Sequence, residues 1–232
     1  MIIGEKIMAN RLYFKATPHE SKIFIERFCE FEFYSGFSIT QKQKCIKSLH
    51  NNILLKEPRA NILEISTKSD NSLGVSLSAF NLKLYIEELS KEVPVENIFQ
   101  SSKVFKNGGH YTDLLEVSSR DAKGDERLRN SGDLIGFHFN GVNWPLVPKT
   151  IFYDWIYINA LNNTITTRNI LSYNVFTDIE FNHNKSINCQ ARSAAIYVSL
   201  LKMGLVEKAI NDIDFLKTIY KTNNKIEQMS LY

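Results

Sequence analysis

The 232-residue sequence is poor in the residues that mark fibrous, disordered or disulfide-stabilised chains. It has only 10 glycines, 5 prolines and 3 cysteines. So little glycine and proline excludes a collagen-like or low-complexity chain. The odd number of cysteines, each far from the next, fits neither a disulfide framework nor the Cys-x-x-Cys pairs of structural zinc, and it favours a reducing compartment.

Long apolar runs and blocks of like charge are also missing from the sequence. No stretch approaches the ~20 apolar residues of a membrane span, and the first residues lack the pattern of a secretory signal. We therefore expect a cytoplasmic protein with no membrane attachment. The 28 basic and 25 acidic side chains leave a net charge of +3, which permits a polyanionic partner without requiring one.

Metal and cofactor motifs are absent as well. The 5 histidines are scattered without a His-x-x-x-His or Cys-x-x-Cys partner, so we predict no metal site. The glycine pair at residues 108–109 is too weak a signal for a phosphate loop, and we predict no bound cofactor.

What the sequence does contain is the composition of a packed globular protein, with 44% hydrophobic residues. Alternating apolar and polar residues predict half-buried strands at residues 11–15 and 30–34. Short strands or extended loops are expected at residues 62–65 and 75–84. Apolar spacing and start signals, with Thr40 and Ser118 or Ser119 as caps, predict helices over residues 40–55, 95–105, 121–130, 149–161, 191–204 and 206–221.

These elements predict a helix-rich α+β fold with a small β-sheet. The length suits a single domain over residues 1–232. We expect residues 1–10 to be disordered or to precede the true start of the protein. Residues 223–232 are expected to form a frayed tail.

The segment at residues 94–105 has the densest chemical signal. If a helix begins after Pro94, then Glu96, Gln100 and Lys103 recur at i, i+4 and i+7 and share one face. A carboxylate, an amide and an amine then point in the same direction. The plainer alternative is a solvated helix edge with a weak charge pattern.

Two motifs link this segment to a known family. Residues 77–81 read LSAFN, and residues 96–105 read ENIFQSSKVF. They resemble the NADAR family, including YbiA-like proteins, in which a Leu/Phe-Ser-x-Phe segment precedes a helix of the form Glu-His-x-aromatic-Gln-x-x-Lys-aromatic. Further runs, among them SRDAKGDERL and FNHNKSINCQARSAA, resemble the branch encoded beside DarT-type DNA ADP-ribosyltransferases. The likeness covers residues 30–200.

Two features depart from the family pattern. Asn97 stands where ordinary NADAR members have the His after the glutamate. The Trp-Gly pair near the C-terminus of YbiA-like proteins is missing, and residues 176–192 take its place.

The resemblance implies a NADAR/YbiA-like fold and an N-glycosidase that removes ADP-ribose from guanine bases in DNA. Such a protein acts as an antitoxin or counter-defence factor, with ADP-ribosylated DNA, free ADP-ribose and a DarT-type toxin as its partners. Two alternatives stay open. One is an N-glycosidase for a ribosylamino-pyrimidine of riboflavin metabolism, and the other is a non-catalytic module that binds ADP-ribose.

The resemblance also implies catalytic roles for two residues. Glu96 would stabilise the positive charge on the sugar or activate water, with Asp178 or Glu180 as a second carboxylate. Lys103 would act as an amine nucleophile or through its charge.

Substrate-binding roles are implied for residues before and after this segment. Gln100 would orient the substrate, and Phe80, beside Asn81, would stack on a ring. Residues 176–192 are rich in short polar side chains. The resemblance makes them a clamp for ribose and diphosphate, formed by Asp178, Asn182, Gln190 and Arg192, whereas composition alone favours an Asn-rich loop.

Two groups of basic residues are candidates for phosphate or nucleic-acid contacts. Arg120, Lys123 and Arg127 are predicted to share one helix face. An exposed helix with internal charge pairs explains them equally well. Lys42, Lys44 and Lys47 form a weaker patch of the same kind.

Overall fold

The computed structural model describes residues 7–19, 22–163, 167–184 and 186–220. Within these residues lie ten strands: β1 (Met8–His19), β2 (Lys22–Glu32), β3 (Ile62–Glu64), β4 (Lys83–Ile86), β5 (Lys91–Pro94), β6 (Lys103–Phe105), β7 (Gly108–Gly109), β8 (Leu134–Phe139), β9 (Val142–Trp144) and β10 (Val175–Thr177). The helices are α1 (Ile39–Lys56), α2 (Ser72–Ser76), α3 (Val95–Ser101), α4 (Ser119–Gly124), α5 (Arg127–Asn130), α6 (Ile151–Asn162), α7 (Thr167–Ile170), α8 (Gln190–Lys202) and α9 (Val206–Asn211). Residues 213–220 are also helical. The predicted α+β class is confirmed.

The structure describes only part of the two chain ends. Residues 8–10, which we expected to be disordered or to precede the true start, lie in β1. Residues 1–6 and the expected tail at 223–232 lie outside the described residues.

The main sheet has the strand order β2-β1-β10-β3. Its strands pair in antiparallel fashion except β10 and β3, which are parallel. Side chains alternate along β1, so Tyr13 belongs to the buried cluster that contains Leu49 of α1, whereas Phe14 belongs to the cluster that contains Ala194 of α8. The two helices therefore cover opposite faces of the sheet. Each fully buried apolar side chain, Leu49 for example, stabilises this arrangement by about 1.5–3 kcal/mol.

The parallel pairing of β3 and β10 positions the segments that come after the two strands. Because parallel strands end at the same edge, residues 65–68 and 178–182 emerge side by side. A second sheet, β7-β6-β8-β9, packs through aromatic residues against α3 and α6. Phe99 and Phe152 are the central rings, with centroids 6.4 Å apart.

Helix α3 is shorter than the sequence predicts. It ends at Ser101, and Lys103 begins β6. The hydroxyls of Ser101 and Ser102 donate to the Ile98 carbonyl at 3.0 and 2.7 Å, which competes with continued helix formation. The backbone N–H of His138 then donates to the Ser102 carbonyl at 2.7 Å, so the chain joins β8 as a strand.

Two further predicted helices are broken by aspartates. The Asp125 carboxylate accepts from the Arg127 N–H at 2.9 Å, which separates α4 from α5. Asp212 likewise accepts from the Phe215 N–H at 2.9 Å and ends the predicted 206–221 helix after α9.

Two helices begin at or near their predicted caps. Ser38 caps α1 in place of Thr40, whereas Ser118 caps α4 as predicted. The predicted strand or loop at residues 75–84 instead contains the end of α2, a turn and the start of β4.

Candidate active site

A cavity of about 1410 Å³ opens beside the shared edge of β3 and β10. Ordinary small-molecule sites enclose ~300–1,000 Å³. This cavity therefore has room for a dinucleotide-sized ligand and for part of a larger molecule joined to it. Its lining is formed by residues 66–68, 78–81, 96, 99, 100, 103, 118–120, 123, 134, 137, 146, 149, 153, 178, 180–182, 186–188 and 190.

Glu96 lies in the first turn of α3 and is only 5% exposed. Its Oε1 accepts a hydrogen bond from Gln100 Nε2 at 2.8 Å and lies 3.6 Å from Lys123 Nζ. The amide oxygen of Gln100 is buried and has no partner among the described residues. The Glu96 carboxylate is thus held in one orientation by Gln100, and the Gln100 amide oxygen remains able to accept a hydrogen bond.

Lys103 reaches the same cavity from the start of β6 rather than from the helix. Its Nζ lies over the Phe99 ring, 4.8 Å from the centroid. Burial lowers the pKa of Lys103 to about 8, Glu96 opposes this shift and Lys123 adds to it. A substantial fraction of this amine is therefore neutral at mildly alkaline pH, and a neutral amine is nucleophilic.

Asp178, which lines the cavity, lies near a second buried carboxyl group, Glu64, which is outside the lining. Asp178 is 7% exposed and accepts from the backbone N–H groups of Glu180 and Phe181 at 3.0 and 3.2 Å. Glu64 is 2% exposed and accepts from Thr177 Oγ1 at 2.6 Å. Burial and the charge of Glu64 raise the pKa of Asp178 to about 8, and burial raises the pKa of Glu64. Asp178 is consequently a proton donor near neutral pH.

Gln190 connects the cavity walls through both of its amide atoms. Its Oε1 accepts from the Ala79 N–H and its Nε2 donates to the Ile65 carbonyl, each at 2.7 Å. Its amide therefore fixes the positions of other lining residues.

Three other predicted binding residues also line the cavity. The Phe80 ring lies 5.2 Å from Lys123 Nζ. Asn81 donates from Nδ2 to the Val75 carbonyl at 2.9 Å. Asn182 is half-buried. The structure brings these side chains together with Glu96.

Cations predominate in the lining of the cavity. Three acidic residues, Glu96, Asp178 and Glu180, are outnumbered by Lys68, Lys103, Arg120, Lys123 and Lys149. Such an excess attracts an anionic ligand and supplies donors for phosphate oxygens.

Two predicted phosphate contacts lie elsewhere. Arg127 is not in the cavity lining, because its guanidinium pairs with Asp113 and Asp125 at 2.6 and 2.9 Å. Arg192 is also outside the lining and pairs with buried Asp154 at 3.1 Å. Both arginines already have acidic partners within the fold.

Tyr153 and Glu64 were not predicted from the sequence. Tyr153 lines the cavity but belongs to an aromatic run typical of a core helix. Burial raises its pKa well above the usual value. Glu64 interrupts the apolar run at residues 62–65, and a charged residue within a buried strand was a usable signal.

The class of protein defined by these features is an α+β protein with a cation-lined cavity large enough for a dinucleotide. The family model described as DarT1-associated NADAR antitoxin matches residues 9–229. The chain therefore belongs to the DarT1-associated NADAR antitoxin family. No curated protein matches the sequence.

The family departure at Asn97 has a structural explanation. Asn97 is fully buried, donates from Nδ2 to the carbonyls of Leu114 and Val117 at 2.8 Å, and accepts from Ser119 Oγ at 2.7 Å. It joins α3 to the segment before α4 and does not line the cavity.

Metal-binding and membrane-spanning features are missing from the residues that the structure describes. These residues contain no group of three or more His, Cys, Asp or Glu side chains placed to hold a metal ion. None of their helices combines the length and apolarity that crossing a bilayer requires.

Proposed function

We propose that the protein is an N-glycosidase that removes ADP-ribose from guanine bases in DNA and so acts as the antitoxin of a DarT-type toxin. The observation that carries this proposal is the meeting of Glu96 and Lys103 in one cation-lined cavity. The family description supplies the link to the toxin and to an antitoxin role.

The reaction requires stabilisation of charge at both ends of the bond that breaks. As the bond from the anomeric carbon to guanine lengthens, positive charge develops on the sugar and negative charge on the base. Glu96, oriented by Gln100, is suited to stabilise the sugar. Asp178, with its raised pKa, is suited to give its proton to the departing base.

Lys103 provides the covalent route. Its neutral amine attacks the anomeric carbon, and the electron pair of the broken bond leaves with the protonated guanine. Ring opening moves the amine's proton to the sugar oxygen and forms an imine with Lys103. Water deprotonated by Glu96 then hydrolyses the imine, which releases ADP-ribose and restores the lysine.

The size and charge of the cavity favour this substrate over a small ribosylamino-pyrimidine. ADP-ribose carries a diphosphate, which matches the excess of cations. A guanine extruded from DNA adds further volume, and about 1410 Å³ accommodates both parts. A pyrimidine intermediate without a diphosphate requires neither property.

The test is release of ADP-ribose from an oligonucleotide that carries it on guanine. We expect wild-type release and losses of at least about 10²-fold in Glu96→Gln and Lys103→Met, because each removes one group from the reacting centre. Borohydride added during turnover should trap a covalent adduct on Lys103 in the wild type.

Two matched substitutions control for general effects on the protein. Glu92→Gln and Lys106→Met make the same chemical changes at exposed positions outside the cavity and should retain full activity. If wild-type protein binds ADP-ribose but releases none, or if both site variants remain active while folded, the proposal is wrong.

A further inference from the structure

The outward face of α1 is strongly basic. The helix has 18 residues, which include four lysines and no acidic residue. Its exposed side chains between residues 40 and 51 are polar or cationic, namely Thr40, Lys44, Lys47 and Asn51, and the exposed apolar residues Ile39, Leu54 and Leu55 lie nearer its two ends. The cationic stretch between these ends attracts a polyanion.

One end of α1 is anchored at the main cavity. Lys42 Nζ lies 3.0 Å from Glu180 Oε1, and Glu180 lines that cavity. His50, in the middle of the helix, hydrogen bonds to Thr177 Oγ1 at 2.8 Å, directly before cavity residue Asp178. The basic face therefore begins at the cavity.

The other end of α1 leads to a second cavity of about 380 Å³. Four cationic side chains line it, with one carboxylate: Lys15, Arg27, Lys56, Arg59 and Glu57. Glu57 is 8% exposed and pairs with Lys15 and Arg27 at 2.5 and 2.8 Å. Among the described residues of this lining, the one carboxylate, Glu57, is already engaged inside the fold, so positive charge remains for an outside ligand.

We propose that the exposed face of α1 and this second cavity form a track for the DNA strand that continues from the modified guanine. Lys44, Lys47, Lys56 and Arg59 would contact successive phosphates of that strand. An 18-residue helix is about 27 Å long. This length matches about eight nucleotides of a stacked strand at the ~3.4 Å axial spacing that a strand has in duplex DNA. The inference rests on the proposed function, which supplies the DNA substrate.

The length dependence of the substrate provides the first test. Single-stranded oligonucleotides would carry ADP-ribose on one guanine and extend on one side by about two, four, eight or twelve nucleotides. We expect KM to fall as the extension grows to about eight nucleotides and then to level off. ADP-ribosyl-guanosine, which has no flanking strand, should be cleaved without using the track.

Substitutions within the track provide the second test. Lys44→Gln/Lys47→Gln and Lys56→Gln/Arg59→Gln should each raise KM for the long oligonucleotide roughly tenfold with kcat unchanged. For each pair, the slope of log KM against log salt should become shallower by about 1.4, because each phosphate that is no longer neutralised reduces it by ~0.7. Cleavage of ADP-ribosyl-guanosine should stay at the wild-type rate.

The matched control is Lys83→Gln/Lys202→Gln, which removes the same charge from exposed lysines outside both cavities. The proposal is overturned if track and control variants behave alike, or if KM does not depend on strand length. It is also overturned if the track variants keep DNA binding and lose only binding to purified toxin. Failure to release ADP-ribose from any of these oligonucleotides rejects the proposed function alone, and binding of unmodified DNA then still tests the track.

Discussion

Two buried regions of the protein differ in whether their carboxyl groups have a cationic partner. In the core between α6 and α8, fully buried Asp154 accepts from Arg192 at 3.1 Å and also from the hydroxyls of Ser193 and Tyr220. In the cavity wall, Asp178 has Glu64 as its charged neighbour, and that neighbour raises its pKa.

The difference separates charges that hold the fold from charges available for chemistry. A carboxylate beside a cation and two hydroxyls is already solvated by the protein. Asp178 receives backbone hydrogen bonds, but the adjacent Glu64 makes its ionisation unfavourable. On the cationic side the same contrast holds: Arg192 pairs with Asp154, whereas Lys103 has no ion-pair partner among the described residues. Unbalanced groups of this kind are typical of reactive sites.

The largest effect is expected when the buried ion pair between Asp154 and Arg192 is broken. Asp154→Asn leaves the buried Arg192 guanidinium without its counter-ion. We expect the free energy of unfolding to fall by about 3–5 kcal/mol, because an uncompensated charge stays in the core. Urea denaturation monitored by circular dichroism measures this change.

Its control is a surface pair of the same chemistry. Asp214 is 88% exposed and lies 2.8 Å from Lys217. Asp214→Asn should change the free energy of unfolding by less than about 1 kcal/mol. Equal losses in the two variants would show that the Asp154 network has no special structural role.

The outlines of this fold follow from local patterns in the sequence. Helix α1 was predicted because its apolar periodicity spans many residues, whereas the short alternating runs at residues 11–15 and 30–34 located only part of β1 and the end of β2. The breaks at Asp125 and Asp212 were missed because each depends on one side chain bonding to the backbone, a choice that periodicity does not report.

Asp178→Asn tests the cavity carboxyl group, because we expect this substitution to raise stability at high pH while it lowers activity. The folded pKa of Asp178, about 8, is above its ordinary value of 3.8. Its favourable contribution to folding is therefore complete below pH ~3.8 and is lost as the pH rises through about 8. The uncharged amide avoids this loss, so the variant should become more stable than wild type as the pH rises.

Activity of the same variant should fall about 10²-fold, because an amide gives no proton to the leaving guanine. Denaturation at pH 5.5 and 8.5 and ADP-ribose release by the same preparations measure both effects. The control is Glu180→Gln, since Glu180 also lines the cavity but is half exposed and paired with Lys42. A stability curve in Asp178→Asn with the same pH dependence as wild type would contradict this account.

The candidate site was only partly visible in the sequence. Glu96 and Gln100 share α3, so spacing alone brought them together. Lys103 was predicted on the same helix and reaches the cavity from β6 instead. Glu64 joins the site only because β3 pairs with β10, more than a hundred residues later in the chain, and local spacing does not report such a contact.

The smallest effect is expected from substituting Lys123, whose charge acts on both catalytic candidates, Glu96 and Lys103. Its Nζ lies 3.6 Å from Glu96 Oε1, and its charge helps lower the pKa of Lys103. Lys123→Gln removes that repulsion and leaves Glu96 with one cation fewer. Both changes favour the charged form of Lys103, so its pKa should rise above about 8.

If the neutral amine of Lys103 is the nucleophile, kcat increases as the pH passes the pKa of Lys103. The higher pKa in Lys123→Gln should therefore shift this increase to higher pH by roughly 0.5–1 unit. The rate at pH 7 then falls three- to tenfold, about the same factor as the shift, while the rate at high pH approaches the wild-type value. Arg120→Gln removes the same charge from α4 without touching Glu96 and should leave the profile in place. A uniform loss of rate at every pH would instead mean that Lys123 holds the substrate. A wild-type rate that falls as the pH rises through about 8, with the fall delayed to higher pH in Lys123→Gln, would mean that Lys103 acts in its charged form.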